Sequence, residues 1–179
     1  MPYMVAIRTT IDDKSILCGG SLITNSLVLT AARCVSGAAE AEITLENVNI
    51  VDIPTLRDIT KSYDEELGIV AGWGKARDTD STTSSVLRSI GTTIIPTLAC
   101  EIGYLFSIST SQICTSGSNK QNICLGDAGS PLVVNGVQVG IASFGSGFGC
   151  EVGLPGVYTR MTSYLTWLYI GIETYGEKS

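Results

Sequence analysis

The chain has 179 residues, a formal net charge of −6 and no histidine. Because no other unperturbed side chain titrates near neutral pH, general-base catalysis by imidazole and zinc sites with histidine ligands are excluded. The sequence pI of about 4.5 and the scattered Lys and Arg residues argue against a nucleic-acid partner, which would require clustered cations.

Short runs of β-forming residues, separated by turn residues, follow one another along the chain. They span residues 3–7, 16–23, 27–30, 42–50, 68–70, 86–95, 112–114, 131–134, 137–144 and 156–160. Together with 20 glycines, this series predicts an all-β protein built as an antiparallel sandwich or barrel. The hydrophobic content of 44% is enough for the core of one compact domain.

The end of the chain has a different pattern. Residues 163–173 carry apolar side chains at helical spacing, namely Tyr164, Leu165, Leu168, Tyr169 and Ile172. This spacing predicts a terminal amphipathic helix docked on the body. The most apolar stretch, residues 164–172, is far shorter than the roughly 20 residues of a membrane span, so we expect no membrane partner.

Six cysteines stand at the irregular positions 18, 34, 100, 114, 124 and 150. No C-x-x-C pair and no histidine accompanies them, so three disulfides are favoured over a metal or redox site, and we expect no metal and no cofactor. Disulfides indicate an oxidising, extracellular compartment. The segment after Met1 has no charged region and no cleavage site, so no signal peptide is predicted in this chain.

Five motifs occur in a set order along the chain. They are Cys18–Ile23 (CGGSLI), Leu29–Cys34 (LTAARC), Gly72–Gly74 (GWG), Gly126–Val133 (GDAGSPLV) and Gly156–Arg160 (GVYTR). In this order the motifs resemble those of the chymotrypsin-like serine peptidases. The cysteine pattern, with residues 143–145 and 150–153 near the end, is most similar to the arthropod chymotrypsin and collagenase-like branch of that family.

The resemblance implies a trypsin-like fold: two antiparallel β-barrels with a catalytic cleft between them, followed by a C-terminal α-helix. By position it also implies the disulfides Cys18–Cys34, Cys100–Cys114 and Cys124–Cys150. We predict a single peptidase-like domain, with a shortened first barrel in residues 1–58 and a second barrel plus the helix in residues 59–179.

All three positions of the family's catalytic triad are altered. Arg33 takes the histidine position, and a guanidinium cannot accept a proton near neutral pH. Ala128 takes the serine position and has no nucleophilic oxygen. The strand that carries the aspartate is missing, because a block between Ile50 and Ile53 is predicted to be deleted. A less favoured alignment matches residues 42–45 (EITL) to that strand and places the deletion earlier.

Asp127 matches the carboxylate that pairs with the new amino terminus when a family zymogen is cleaved. The chain starts beyond the segment that would supply that amino group. An unpaired buried carboxylate is costly, so Asp127 is expected either to stay exposed or to find another partner. Arg33 is one candidate partner, but we favour the interpretation that Arg33 points into the solvated cleft.

The resemblance further implies a specificity pocket and an oxyanion hole. The pocket residues are Asn122 and Ile123 at the base, Ser143, Phe144 and Gly145 as a wall, and Gly156 opposite. Because the base has no carboxylate, we expect preference for an apolar or mid-sized group. The N–H groups of Gly126 and Ala128 would form the oxyanion hole. Ser130, which replaces a family glycine, is the least favoured nucleophile, since no lysine base is positioned beside it.

These observations support three hypotheses. The leading one is a secreted, monomeric, non-catalytic serine-peptidase homologue that binds peptides or proteins, such as peptidase inhibitors or components of a proteolytic cascade. The second is a truncated or mispredicted gene product without a function of its own. The third is an active serine endopeptidase, the function of the family at large, which we expect to be absent from this chain.

Overall fold

A computed structural model describes residues 1–45, 48–105 and 108–176. Within these ranges the strands are β1 (Met4–Ile11), β2 (Lys14–Leu22), β3 (Val28–Leu29), β4 (Ala41–Thr44), β5 (Leu67–Gly72), β6 (Arg88–Ile95), β7 (Gln112–Thr115), β8 (Pro131–Val134), β9 (Val137–Phe144) and β10 (Gly156–Arg160). The α-helices are α1 (Thr97–Tyr104) and α2 (Leu165–Tyr175). None of the described helices is long and apolar enough to cross a membrane.

The first four strands form an open antiparallel sheet in the order β3-β2-β1-β4. Inward-facing Val5 and Ile7 of β1 pack with Leu22 and with the disulfide Cys18–Cys34. At the far edge, every residue of β4 is exposed, including Ile43 at 46%. The sheet does not close, so the first barrel is truncated, as the sequence predicts.

The remaining strands close into a six-stranded barrel in the order β10-β7-β6-β5-β8-β9. Its core includes side chains that are at most 1% exposed, among them Ile94, Ile113, Leu132 and Tyr158. Closure pairs every strand on both sides and leaves no edge, which is the arrangement that the open first sheet lacks.

The two sheets are joined by polar contacts as well as by the chain. Ser21 and Gln138 are fully buried, and the Ser21 hydroxyl donates to Gln138 Oε1 at 2.6 Å. The Gln138 N–H donates to the carbonyl of Asp52 at 2.8 Å, and the Val51 N–H donates to the carbonyl of Leu22 at 2.9 Å. Residues 51–52 therefore pass directly from the first sheet to the barrel. The division of the chain at residue 58 stays a prediction.

Most predicted strands are present, but three elements differ from the prediction. The predicted strand over residues 42–50 ends at Thr44, and positions 46 and 47 lie outside the described residues. No helix is predicted over residues 97–104, but the structure has α1 there, and the disulfide Cys100–Cys114 fixes it to β7. Tyr164 was expected on the docked face of the terminal helix, yet it precedes α2 and is 45% exposed.

The structure contains three disulfides in the part of the chain that it describes. They join Cys18 to Cys34, Cys100 to Cys114 and Cys124 to Cys150, which are the pairs that the family resemblance implies. The first fixes β2 to the short 3-10 helix Ala32–Cys34, and the third fixes the segment before Asp127 to the loop between β9 and β10.

Candidate functional site

The turn that carries Ala128 is fixed against the first sheet. The Gly19 N–H donates to the carbonyl of Ala128 at 2.8 Å, and the Gly129 N–H donates to the carbonyl of Ala142 at 2.9 Å. Gly129 has φ +83°, and a Cβ there would collide with the hydroxyl of Thr30 and the carbonyl of Gly19. Only glycine fits this close approach, which brings Ala128 beside the segment that leads to Arg33.

Arg33 and Ala128 lie on neighbouring segments, since the sulfur of Cys34 is 3.6 Å from the carbonyl of Ala128, but they supply neither a base nor a nucleophile. Arg33 is exposed at the centre of the 3-10 helix, and partial burial of its guanidinium lowers its pKa without removing its charge. The methyl group of Ala128 packs against the apolar cluster around Cys18–Cys34. The sequence interpretation that Arg33 points into the cleft fits its exposure.

Among the residues that the structure describes, no carboxylate forms an ion pair with Arg33. Glu42 lies on β4, where it pairs in register with Arg8 of β1, and β4 is the opposite edge of the sheet from β3. In the described ranges the one ion pair joins Lys61 Nζ to Glu66 Oε1 at 3.2 Å, and Arg33 takes part in none. The alternative alignment of residues 42–45 therefore does not bring an acid to this cleft.

Ser130 is inaccessible to a substrate. Its side chain is 0% exposed and packs against Gly19 and Gly72, where an added Cβ would meet its hydroxyl. The hydroxyl has no hydrogen-bond partner among the described residues. The alternative that Ser130 acts as a displaced nucleophile is therefore wrong, because a nucleophile must reach the carbonyl that it attacks.

Asp127 is held by backbone donors rather than by Arg33, so the candidate pairing of the two is wrong. Its Oδ1 accepts from the Gly74 N–H at 2.7 Å, and its Oδ2 accepts from the Cys124 N–H at 2.9 Å. Burial raises the pKa of this carboxyl, and the two hydrogen bonds oppose that rise. The carboxylate lies against Gly72 and Gly74, at a cavity of about 280 Å³.

The two oxyanion-hole candidates keep free donors. Neither the Gly126 N–H nor the Ala128 N–H donates a hydrogen bond within residues 1–45, 48–105 and 108–176, and both residues are partly exposed. Gly126 has φ +103°, a conformation that favours glycine. This arrangement can accept an anionic or carbonyl oxygen.

The predicted pocket residues lie near one another but differ in what they face. Asn122 is tied inward, because its Nδ2 donates to the carbonyl of Leu154 at 2.7 Å and its Oδ1 accepts from the Ile123 N–H at 2.8 Å. Gly156 lies against Asn122, and Gly145 lies against the carbonyl of Ile123. The ring of Phe144 packs edge-on against Tyr104, at 5.7 Å between centroids.

Ser143 contributes to a different feature, which the sequence did not reveal. Two adjoining cavities of about 530 and 390 Å³ lie between the chain from Leu27 to Arg33 and helix α2. They share Leu29, Trp167 and Leu168, and Ser143 lines the larger one. We call this feature the β3–α2 groove. In the sequence, a tryptophan at position 167, outside the apolar stripe of the predicted helix, is the signal that could have indicated this groove.

One cluster of metal-ligating residue types is not a metal site. The carboxylate of Asp78 lies close to the sulfurs of Cys124 and Cys150. Those sulfurs are joined in a disulfide, and only a thiolate binds metal strongly. The Asp78 carboxylate instead accepts from the N–H groups of Cys150 and Glu151, at 2.6 and 3.1 Å.

Known proteins share both the sequence pattern and the fold. A family model described as trypsin matches residues 1–55 and 45–168. The chain is 29% identical to a chymotrypsin of Phaedon cochleariae over 94% of its length and 76% of the relative. It is 30% identical to a brachyurin of Leptuca pugilator over 87% of its length and 88% of the relative.

The solved structure of HL collagenase superposes with a TM-score of 0.87 at 26% identity, over 99% of this chain and 95% of that one. The chymotrypsin alignment extends over 215 positions, more than the 179 residues of the chain, so the relative has residues without a counterpart here. The two segments matched by the family model overlap at residues 45–55, where the sequence predicts a deletion.

Proposed function

Because the chain belongs to the trypsin family of serine peptidases yet has arginine and alanine at two triad positions, we propose that it is a non-catalytic member that acts by binding. The observation that carries this proposal is that arginine and alanine stand at positions 33 and 128, which the resemblance matches to the histidine and serine of the triad. Acyl transfer in this family requires a hydroxyl activated by an imidazole, and neither group is available here.

Two features support a binding role. The N–H groups of Gly126 and Ala128 are free to bind a peptide carbonyl. The closed barrel and its disulfides give those donors a rigid frame. The proposed ligands are peptide or protein segments, including peptidase inhibitors and components of proteolytic cascades, met by a monomer in an extracellular compartment where the three disulfides persist.

A fluorophosphonate probe tests the absence of catalysis directly. We expect no covalent labelling of the purified chain and no hydrolysis of peptide substrates with apolar side chains at the cleaved bond. An active family chymotrypsin is the positive control for both assays. An Arg33→His/Ala128→Ser variant tests whether restoring two groups permits slow labelling without the aspartate. Stoichiometric labelling of the unaltered chain would contradict the proposal.

A further inference from the structure

The β3–α2 groove has an apolar surface that nothing in the described chain covers. Trp167 is 65% exposed, Ile170 is 57% exposed and Tyr164 is 45% exposed, and all three line the groove. Contiguous exposed aromatic and aliphatic side chains mark interaction surfaces, with tryptophan among the strongest contributors to binding energy. The larger cavity, about 530 Å³, is in the size range of ligand sites.

One wall of the groove is an open strand edge. β3 pairs with β2 through Ser21↔Leu29 and Leu22↔Val28, and the Ile23 N–H donates to the carbonyl of Leu27. Hydrogen-bonded and non-hydrogen-bonded pairs alternate in antiparallel ladders, so Leu22 and Val28 form a non-hydrogen-bonded pair. The N–H and carbonyl of Val28 therefore point away from β2, towards the edge that no strand of the described sheet occupies.

The groove also has one charge. Arg33 is the only charged residue among the described residues that line it, and it forms no ion pair with them. It follows β3 in the chain, so it stands at the end of this wall. An unpaired cation on an apolar surface favours a ligand that brings a carboxylate to that end.

We propose that the β3–α2 groove binds an extended, apolar segment of a partner protein that adds to β3 as an antiparallel strand and places a carboxylate on Arg33. Main-chain groups of the segment pair with Val28, its apolar side chains cover Trp167 and Ile170, and its acidic residue lies near its amino-terminal end. An antiparallel direction matches every other pairing in this sheet. This inference rests on the proposed binding function and gives it a site.

A blocked peptide, Ac-Asp-Thr-Val-Thr-Leu-Thr-Val-NH2, and its counterpart with Asn in place of Asp test the charge by isothermal titration calorimetry. We expect the Asp peptide to bind the unaltered chain about tenfold more tightly, with the difference lost in Arg33→Gln. It should persist in Arg77→Gln, the matched control, because Arg77 is exposed and lines neither cavity of the groove. Equal affinity for the two peptides, or no saturable binding, would overturn the proposal.

The strand edge is tested by Val28→Pro against Val28→Ala. Proline removes the outward N–H without removing a hydrogen bond of the sheet, whereas alanine removes the same packing and keeps the N–H. We expect Val28→Pro to bind at least tenfold more weakly than Val28→Ala, with both variants folded by circular dichroism. Equal binding by the two would overturn strand addition.

Two further outcomes separate this proposal from its alternatives. Sedimentation of the unaltered chain as a dimer that Val28→Pro dissociates would overturn it in favour of a second copy in the groove. Mass spectrometry of the peptide after titration reports on catalysis. Cleavage of the peptide would contradict the non-catalytic function but would not alter the affinities measured for the groove. A failure of the proposed function is therefore distinguishable from a failure of the proposed groove.

Discussion

At the scale of single residues, Ser130 is a buried polar group with an unmet hydrogen bond. We expect Ser130→Ala to stabilise the protein by about 1 kcal/mol, because an unsatisfied buried hydroxyl costs free energy and alanine removes it. Urea unfolding of the oxidised chain measures the change. Ser21→Ala is the matched control: Ser21 is equally buried but hydrogen-bonded to Gln138, so its loss should destabilise. Equal destabilisation by both would contradict the prediction.

Asp127 gives a pH dependence whose sign follows from its burial. Burial raises its pKa in the folded state, so above about pH 4 the folded chain retains a proton that the unfolded chain has lost. The contribution of Asp127 to stability therefore falls as the pH rises towards its folded pKa. We expect Asp127→Asn to gain stability relative to the unaltered chain over that interval, as measured by urea unfolding at stepped pH.

Asp58 provides the control of opposite sign. Hydrogen bonds from Thr55 lower its pKa in the folded state, so its contribution is present above the ordinary Asp range and is lost as the pH falls through the folded value. The difference in unfolding free energy between Asp58→Asn and the unaltered chain should therefore be constant above about pH 4 and change as the pH falls below that value. If the unfolding free energies of Asp127→Asn and the unaltered chain differed by the same amount at every pH, the pH dependence could not be assigned to Asp127.

At the scale of elements, the two-residue strand β3 depends on its neighbours. The Cys18–Cys34 disulfide, with a sequence separation of 16, closes the loop that contains β3. We expect Cys18→Ala/Cys34→Ala to cost about 3 kcal/mol on chain entropy. The disulfide Cys100–Cys114 closes a loop of similar length, with a separation of 14. Its removal in Cys100→Ala/Cys114→Ala should therefore cost about the same. A loss well below 1 kcal/mol for the first pair would contradict this expectation.

At the scale of the whole molecule, an open sheet and a closed barrel share one chain. Strands β1 and β2 contribute to a smaller core than the barrel does, and β4 is exposed throughout. We expect native-state hydrogen exchange to be slowest for barrel amides such as Ile113 and Val139, and fastest for β4. Uniformly slow exchange would indicate one cooperative unit, and uniformly fast exchange would favour the hypothesis of a product without a stable fold.

Residue types and their order along the chain are enough to identify the family, the series of strands and the arginine and alanine at positions 33 and 128. The sequence also predicts a deletion between Ile50 and Ile53. The two segments that match the family model overlap in that region, at residues 45–55. The sequence does not predict α1, a helix of only eight residues that a disulfide fixes to β7.

The surroundings of Asp127 and Ser130, in contrast, depend on how segments far apart in the chain pack together. Asp127 turns to backbone donors because Gly72 and Gly74 leave room for it, and Ser130 is closed off by packing between two sheets far apart in sequence. The groove beside β3 is open because no strand of the described sheet pairs with that edge. A sequence reveals the residues that are present, whereas the surface left open by missing ones depends on how the remaining elements pack.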